Sequence, residues 1–272
     1  MSDSLRSLGV KALILIALCF IASKSHSQST YEIGGFYGRS YYLGELNPTG
    51  HFKSEFLHEA YGFYFRHAVN SRWAVRYNFS VGAISGNDAL SNDLSAQQRN
   101  LSFDSKLYEG AFLVEFNFMH YHSFLYNDFF SPYMVMGVSM FRFNPKGTLN
   151  GNVYELATVQ TEGVSYSRLG TAIPIGFGLK FKFSHRVLFA LEWAIRKSST
   201  DYLDDVSSFY PNPDDMTNVA IGLSNKSVLS DQPSEWGALR GNPTNRDWFN
   251  FTTFQVSIRL GKNPRLCHYK PE

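Results

Sequence analysis

The sequence predicts an all-β fold, an eight-stranded antiparallel barrel that crosses a membrane. Three observations predict it. Apolar and polar residues alternate with a period of two in segment after segment. The segments are near or above the ~9–11 residues that a tilted membrane strand needs. The connections alternate strictly between short and long. Composition agrees: of 272 residues 16% are aromatic and only 18% are charged, with 24 Phe, 16 Tyr and 21 Gly. Soluble domains usually carry charge on about a quarter of their residues.

Residues 1–27 read as a secretory signal outside the fold. Arg6 and Lys11 are basic, Ala12 to Ala22 is an apolar run too short for a membrane helix, and Ser25 and Ser27 are small residues before a cleavage point at Gln28. Cys19 follows Leu18 and precedes Phe20, which does not fit a lipidation box. Removing the segment lowers Lys+Arg from 25 to 22 and Asp+Glu from 23 to 22, leaving no net charge. A neutral chain without a basic stripe excludes nucleic acid as a partner. One thiol remains, Cys267, so no internal disulfide forms.

Five strands follow from clean alternation: Trp73–Val81, Glu109–Phe118, Ile173–Phe183, Val187–Arg196 and Phe254–Leu260. In the first, Trp73, Val75, Tyr77, Phe79 and Val81 share one face, and Ala74, Arg76, Asn78 and Ser80 the other. Three segments alternate less well: Glu32–Leu43, Glu59–His67 and Pro132–Phe143. Pro174 lies inside a strand although it cannot donate to a ladder; the strand is kept because this position is near the mouth, where a sheet is irregular. Asn70-Ser71 and Ser184-His185 make tight turns, and 120–131 makes a modest one. Stretches 45–58, 86–106, 145–169 and 201–247 are the long connections. Short periplasmic turns with long external loops mark an outer-membrane barrel surrounded by outer-membrane lipid. Residues 28–262 form the barrel and 263–272 a periplasmic tail.

The polar faces carry Arg66, Arg76, Glu109, Glu115, Lys180, Lys182, Glu192, Arg196 and Arg259. A basic residue on the lipid face costs about 2–4 kcal/mol at the midplane. These charges are therefore expected inside, paired with one another and filling the narrow lumen, with no conducting pore. Tyr41, Tyr42, Trp73, Tyr133 and Trp248 lie near strand ends and are expected in the aromatic girdles.

Chemistry is sparse. No nucleophile elbow, phosphate loop or zincin motif occurs, and no cofactor is implied. His120 and His122 share one side of a turn without further ligands nearby. Asp201, Asp204, Asp205, Asp214 and Asp215 offer oxygens to Ca²⁺, yet the EF-hand spacing is missing, and the expectation is a solvated acidic loop without metal.

Several loop phrases resemble a known family. Arg196 to Ser207 reads R-K-S-S-T-D-Y-L-D-D-V-S. Tyr41 to Pro48, Arg99 to Phe103, Phe143 to Lys146, Thr161 to Gly163 and Arg240 to Pro243 followed by Asp247-Trp248 complete the set, in order. Together they resemble the PorG-like outer-membrane barrels of Bacteroidota, grouped as a domain of unknown function. The resemblance implies a non-enzymatic component or anchor of the type IX protein secretion system, which gliding Bacteroidota also use. Its implied partners are a periplasmic ring lipoprotein and that lipoprotein's own partner. The tail with Cys267, or the turn bearing His120 and His122, is expected to touch the ring.

In the signature loop, Arg196, Thr200, Asp201, Tyr202, Asp204, Asp205, Arg240, Asn242 and Trp248 have two readings. They dock an external partner, or they tie the largest loop over the barrel mouth, and the second is preferred. The fold expected is thus an up-and-down barrel of the OmpA/OmpX type. Two other functions stay open: a general small barrel for envelope stability or adhesion through its loops, and a lipid-modifying enzyme.

Overall fold

The structure is a computed structural model that describes residues 30–47, 51–119, 129–184, 186–227 and 235–260. Among these residues ten strands occur: β1 (Thr30–Leu43), β2 (His58–Ala68), β3 (Trp73–Asn87), β4 (Ser102–Asn117), β5 (Phe130–Arg142), β6 (Pro145–Leu149), β7 (Asn152–Glu155), β8 (Leu169–Lys182), β9 (Val187–Ser198) and β10 (Trp248–Leu260). Eight of them close into the expected up-and-down barrel. Each pairs antiparallel with the next, β5 passing directly to β8, and β10 returns to β1. The strands β6 and β7 form a hairpin in the third long loop, hung from β4 at Asp104↔Lys146. The signal segment, His120, His122 and the Cys267 tail lie outside the described residues.

The tight turns follow from side-chain chemistry. Asn70 Oδ1 accepts from the backbone N–H groups of Arg72 and Trp73, both at 2.8 Å. Ser184 Oγ accepts from Arg186 and Val187 at 3.3 and 3.1 Å. Such local bonds offer the backbone a turn in place of a ladder.

Around the middle of the barrel the outward row is apolar and bare: Phe63 is 57% exposed, Phe79 54%, Val138 60% and Phe177 55%. On a soluble protein such a continuous belt would drive association; facing lipid it is at home. Toward the long loops the pattern inverts. Ile84, Phe103, Leu107, Phe141, Phe249 and Phe251 point inward and are buried. Their outward neighbours Asp104, Lys106, Arg142 and Lys197 are exposed.

The inversion explains where the strands outrun the alternation read from sequence. The β3–β4 ladder runs on to Asn87↔Ser102, well past Val81 and Glu109. Likewise β10 begins at Trp248 and not Phe254. The second long connection is correspondingly shorter, 88–101 in place of 86–106. Pro174 has an account in the pairing itself. It lies opposite Arg196 on β9, while on the β5 side the pairing stops at Met136↔Ile175 and resumes at Ser139↔Ala172. The register is the same on both sides of the gap, so the missing N–H interrupts one stretch of ladder without a bulge.

An outward position in the belt and one near the rim should respond differently to charge. Phe177→Arg is expected to weaken folding into phospholipid bilayers by about 2–4 kcal/mol. Asp104→Arg, near the rim, is expected to change it by only about 0.5 kcal/mol; urea titration of the folded barrel measures both.

Candidate functional site

The lower lumen is filled by one connected ion network. Glu115 is its centre and is fully buried. Arg66 reaches it at 3.0 Å, Arg76 at 2.8 Å and Lys180 at 2.5 Å. Arg66 also donates to Glu32 at 2.7 Å, and Arg259 stands 3.6 Å from the other oxygen of Glu32. Arg76 forks onto both oxygens of Glu192, at 2.9 and 2.8 Å, and that carboxylate also accepts from the Tyr133 hydroxyl at 2.7 Å. Lys180 makes a second bond to Asn117 at 2.9 Å. Higher up, Arg196 pairs with Glu109 at 3.2 Å and lies over the Phe251 ring, 4.5 Å from its centre.

Aromatic rings occupy the space between the charges. Tyr64 lies under Arg66 and Arg76, and Tyr133 under Lys180 at 4.3 Å. The rings fit because glycines stand opposite: a Cβ on Gly34 would come within 2.5 Å of Tyr64, and one on Gly178 within 2.4 Å of Tyr133.

All nine charges named from the sequence lie on the inward face and are buried, with Lys182 at the turn end. Sequence reading missed Glu32, because the Gly- and Tyr-rich β1 alternates poorly. It also placed Tyr42 and Tyr133 in an aromatic girdle. Both point inward and are buried, so the girdle assignment fails for them. Tyr41 is covered too, beside His51 and Phe52 of the first loop. Trp73 and Trp248 remain at the outer surface near the strand ends.

Above the lumen lies an apolar storey in which Phe103, Phe141, Phe143 and Phe249 pack against Leu156, Leu203, Val206 and Leu223 from the loops. A polar clasp covers it. Arg240 donates to Glu162 at 2.8 Å, to Ser224 O at 3.2 Å and to the backbone oxygen of Asp205. Glu162 in turn accepts from the N–H groups of Ser207 and Ser208 at 2.9 and 3.0 Å. Asp205, in the left-handed backbone region at φ 68°, accepts from Tyr166 at 2.6 Å and from Thr161. Arg99 grips Asp88 with two bonds, 2.7 and 2.9 Å, and donates to Arg240 O at 2.7 Å. Tyr202 stacks on Tyr166 at 4.5 Å. Thr200 Oγ1 accepts from Tyr202 N at 3.2 Å. Lys197 lies over Trp248 at 5.4 Å. Asn242 is exposed and turns its own loop by accepting from Thr244.

The solvated acidic loop is overturned for three of its five acids. Asp201, Asp204 and Asp205 are buried, whereas Asp214 and Asp215 are exposed. Burial pushes Asp205 up to about 6, against the nearby Arg240. It pushes Asp201 up to about 7, against the Ser207 hydroxyl. It also holds Asp204 and Asp247 well above the usual carboxylate range. The Tyr42 hydroxyl lies 2.5 Å from Asp204 and 2.9 Å from Asp247. It has one proton to donate, so the second contact calls for a protonated carboxyl that donates to the phenol oxygen.

A closed barrel of eight strands with an apolar belt, a filled lumen and a clasped mouth defines the class: a small outer-membrane-type β-barrel. The profile of DUF6089, described as a domain of unknown function, matches residues 11–228, and the chain belongs to that family. No curated protein matches it. Among solved structures it is similar to Neisserial surface protein A (8% identity, 86% of this chain and 100% of that one, TM-score 0.43). It is similar to the N-terminal barrel domain of Pseudomonas aeruginosa OprF (11%, 86% and 98%, TM-score 0.37). It is also similar to the attachment invasion locus protein Ail of Yersinia pestis, in complex with the heparin analogue sucrose octasulfate (12%, 85% and 97%, TM-score 0.39). At these scores the fold assignment stands on the strand pairing described above.

Two expected outcomes test the interior and the clasp. Glu115→Gln leaves three buried cations short of counter-charge and should cost about 3–5 kcal/mol in urea unfolding. Asp205 protonates more readily in the folded chain than its ordinary value of about 3.9 allows. Its stabilising effect is therefore complete below about pH 4 and is lost as pH rises through about 6. Thermal unfolding should show a stability difference between the wild type and Asp205→Asn that changes by on the order of 1 kcal/mol per pH unit in that window.

Proposed function

We propose that this chain is a non-enzymatic outer-membrane barrel, an anchor or component of PorG-like type in the type IX protein secretion system. One observation carries the reading. Residues from the separate loop phrases that resemble PorG-like proteins meet in a single buried clasp: Tyr42, Arg99, Glu162, Asp205, Arg240 and Asp247. Those phrases therefore specify a closed lid. With the lumen filled below it, the surfaces left for partners are the lipid-facing belt, the loop exteriors and the turn end. An anchor needs those surfaces and no passage.

On this reading the ring lipoprotein and its partner are met at the turn end, through 120–131 or the tail bearing Cys267. The test is a crosslinked pull-down of a loop-tagged chain from outer membranes, read by mass spectrometry. The expected result is near-stoichiometric recovery of the ring proteins. A pull-down without them, from cells that do assemble the ring, would overturn the secretion role.

A further inference from the structure

Every buried carboxylate in the lumen is ion-paired. So are Asp88, Glu162 and Asp205 in the clasp. Among the described residues, Asp201, Asp204 and Asp247 are the buried acids outside any ion pair, and half-buried Glu45 joins them. Glu45, Asp201 and Asp247 each offer one carboxylate oxygen, and the three lie within 4.8 Å of one another. A Ca²⁺ ion holds its oxygens at about 2.3–2.6 Å, so ligands across it stand about 4.6–5.2 Å apart. Mg²⁺ demands a near-ideal octahedron and gives up its waters reluctantly, so three loop carboxylates suit it less.

A second observation points to a ligand. Asp201 is only 8% exposed, yet its Oδ1 has no hydrogen-bond partner; Ser207 serves the other oxygen at 2.7 Å. Glu45 Oε2 is likewise buried and without a partner. A desolvated carboxylate oxygen left without donor or cation is costly. Two such oxygens on acids of one cluster, in a chain that pairs most of its other buried acids, call for a shared positive charge.

We propose that Glu45, Asp201 and Asp247 form a calcium site that closes the base of the lid. Asp201 and Asp247 flank the two ends of the longest loop, just after β9 and just before β10, and Glu45 lies in the first loop. One ion there joins three points of chain that no ion pair joins. Affinity in the range of extracellular calcium modules, about 0.1–1 mM, is expected for a site that closes in a calcium-bearing exterior.

The test uses the mature chain folded in detergent micelles, stripped with chelator and titrated with CaCl₂ at pH 7.5. One saturable site is expected, weaker with MgCl₂, and calcium should slow proteolysis within 201–247 by about tenfold or more. Glu45→Gln and Asp201→Asn should each weaken binding at least about tenfold. Asp214→Asn, an exposed acid in the same loop, should leave it unchanged. Heat-dependent gel migration verifies that each variant folds. Should a variant fail to fold, Tb³⁺ luminescence sensitised by Tyr42 and Trp248 reports the site in the wild type, with quenching by added Ca²⁺ expected. Absence of saturable binding and of Ca²⁺-displaceable Tb³⁺ emission, or binding that survives both substitutions, overturns the site.

Discussion

An eight-stranded barrel is too narrow to keep its interior charges hydrated, so each carboxylate inside must be answered by a cation. The lower half of this protein is organised by that constraint. Glu115 collects three cations from β2, β3 and β8, and two of those reach onward to Glu32 and Glu192. Residues far apart in sequence thereby fix the relative heights of the strands. The glycines of β1 and β8 follow from the same constraint: where a tyrosine must lie flat beneath a guanidinium or ammonium group, the facing wall has no room for a side chain.

Nearer the long loops the molecule changes solvent. The wall facing outward turns charged and the interior turns aromatic, as in an ordinary water-soluble core. The lid is thus a second small core stacked on the first, sealed by a clasp of buried polar groups. The two storeys neutralise acids by different means. Below, arginine and lysine do so throughout; above, Arg99 and Arg240 answer Asp88, Glu162 and Asp205, while Asp204 and Asp247 gather around the Tyr42 hydroxyl.

The barrel was legible in the sequence because lipid outside and charge inside impose a strict period of two, plain in Trp73–Val81 and Val187–Arg196. The same rule located the interior charges. It failed where its premise fails. Beyond the belt, Phe249 and Phe251 face inward and Arg142 outward, and a period read for lipid contact ends strands too early. Tyr133 was misplaced because an aromatic near a strand end serves equally well in a girdle or under a cation, and Tyr42 because nothing local shows that its hydroxyl turns inward to Asp204 and Asp247. The hairpin of β6 and β7 carries no apolar alternation of its own. The tie of the signature loop over the mouth was legible in its arginine and carboxylate phrases, but the partners within it were not. Asp201 and Asp247 are brought together by the closure of a long loop, and nothing local to either residue encodes that meeting.

The Glu32–Arg259 contact has a consequence for how the ring of strands shuts. Glu32 stands on the first strand and Arg259 on the last, so their attraction spans the seam where the sheet meets itself. A slip of one residue there turns every side chain of β10 to the opposite face. Arg259 would then meet hydrocarbon, and Phe254, Val256 and Ile258 would enter the ion network. The seam therefore reads its own alignment: charge inside and lipid outside jointly reject the neighbouring registers, and the last strand to arrive has one place to dock.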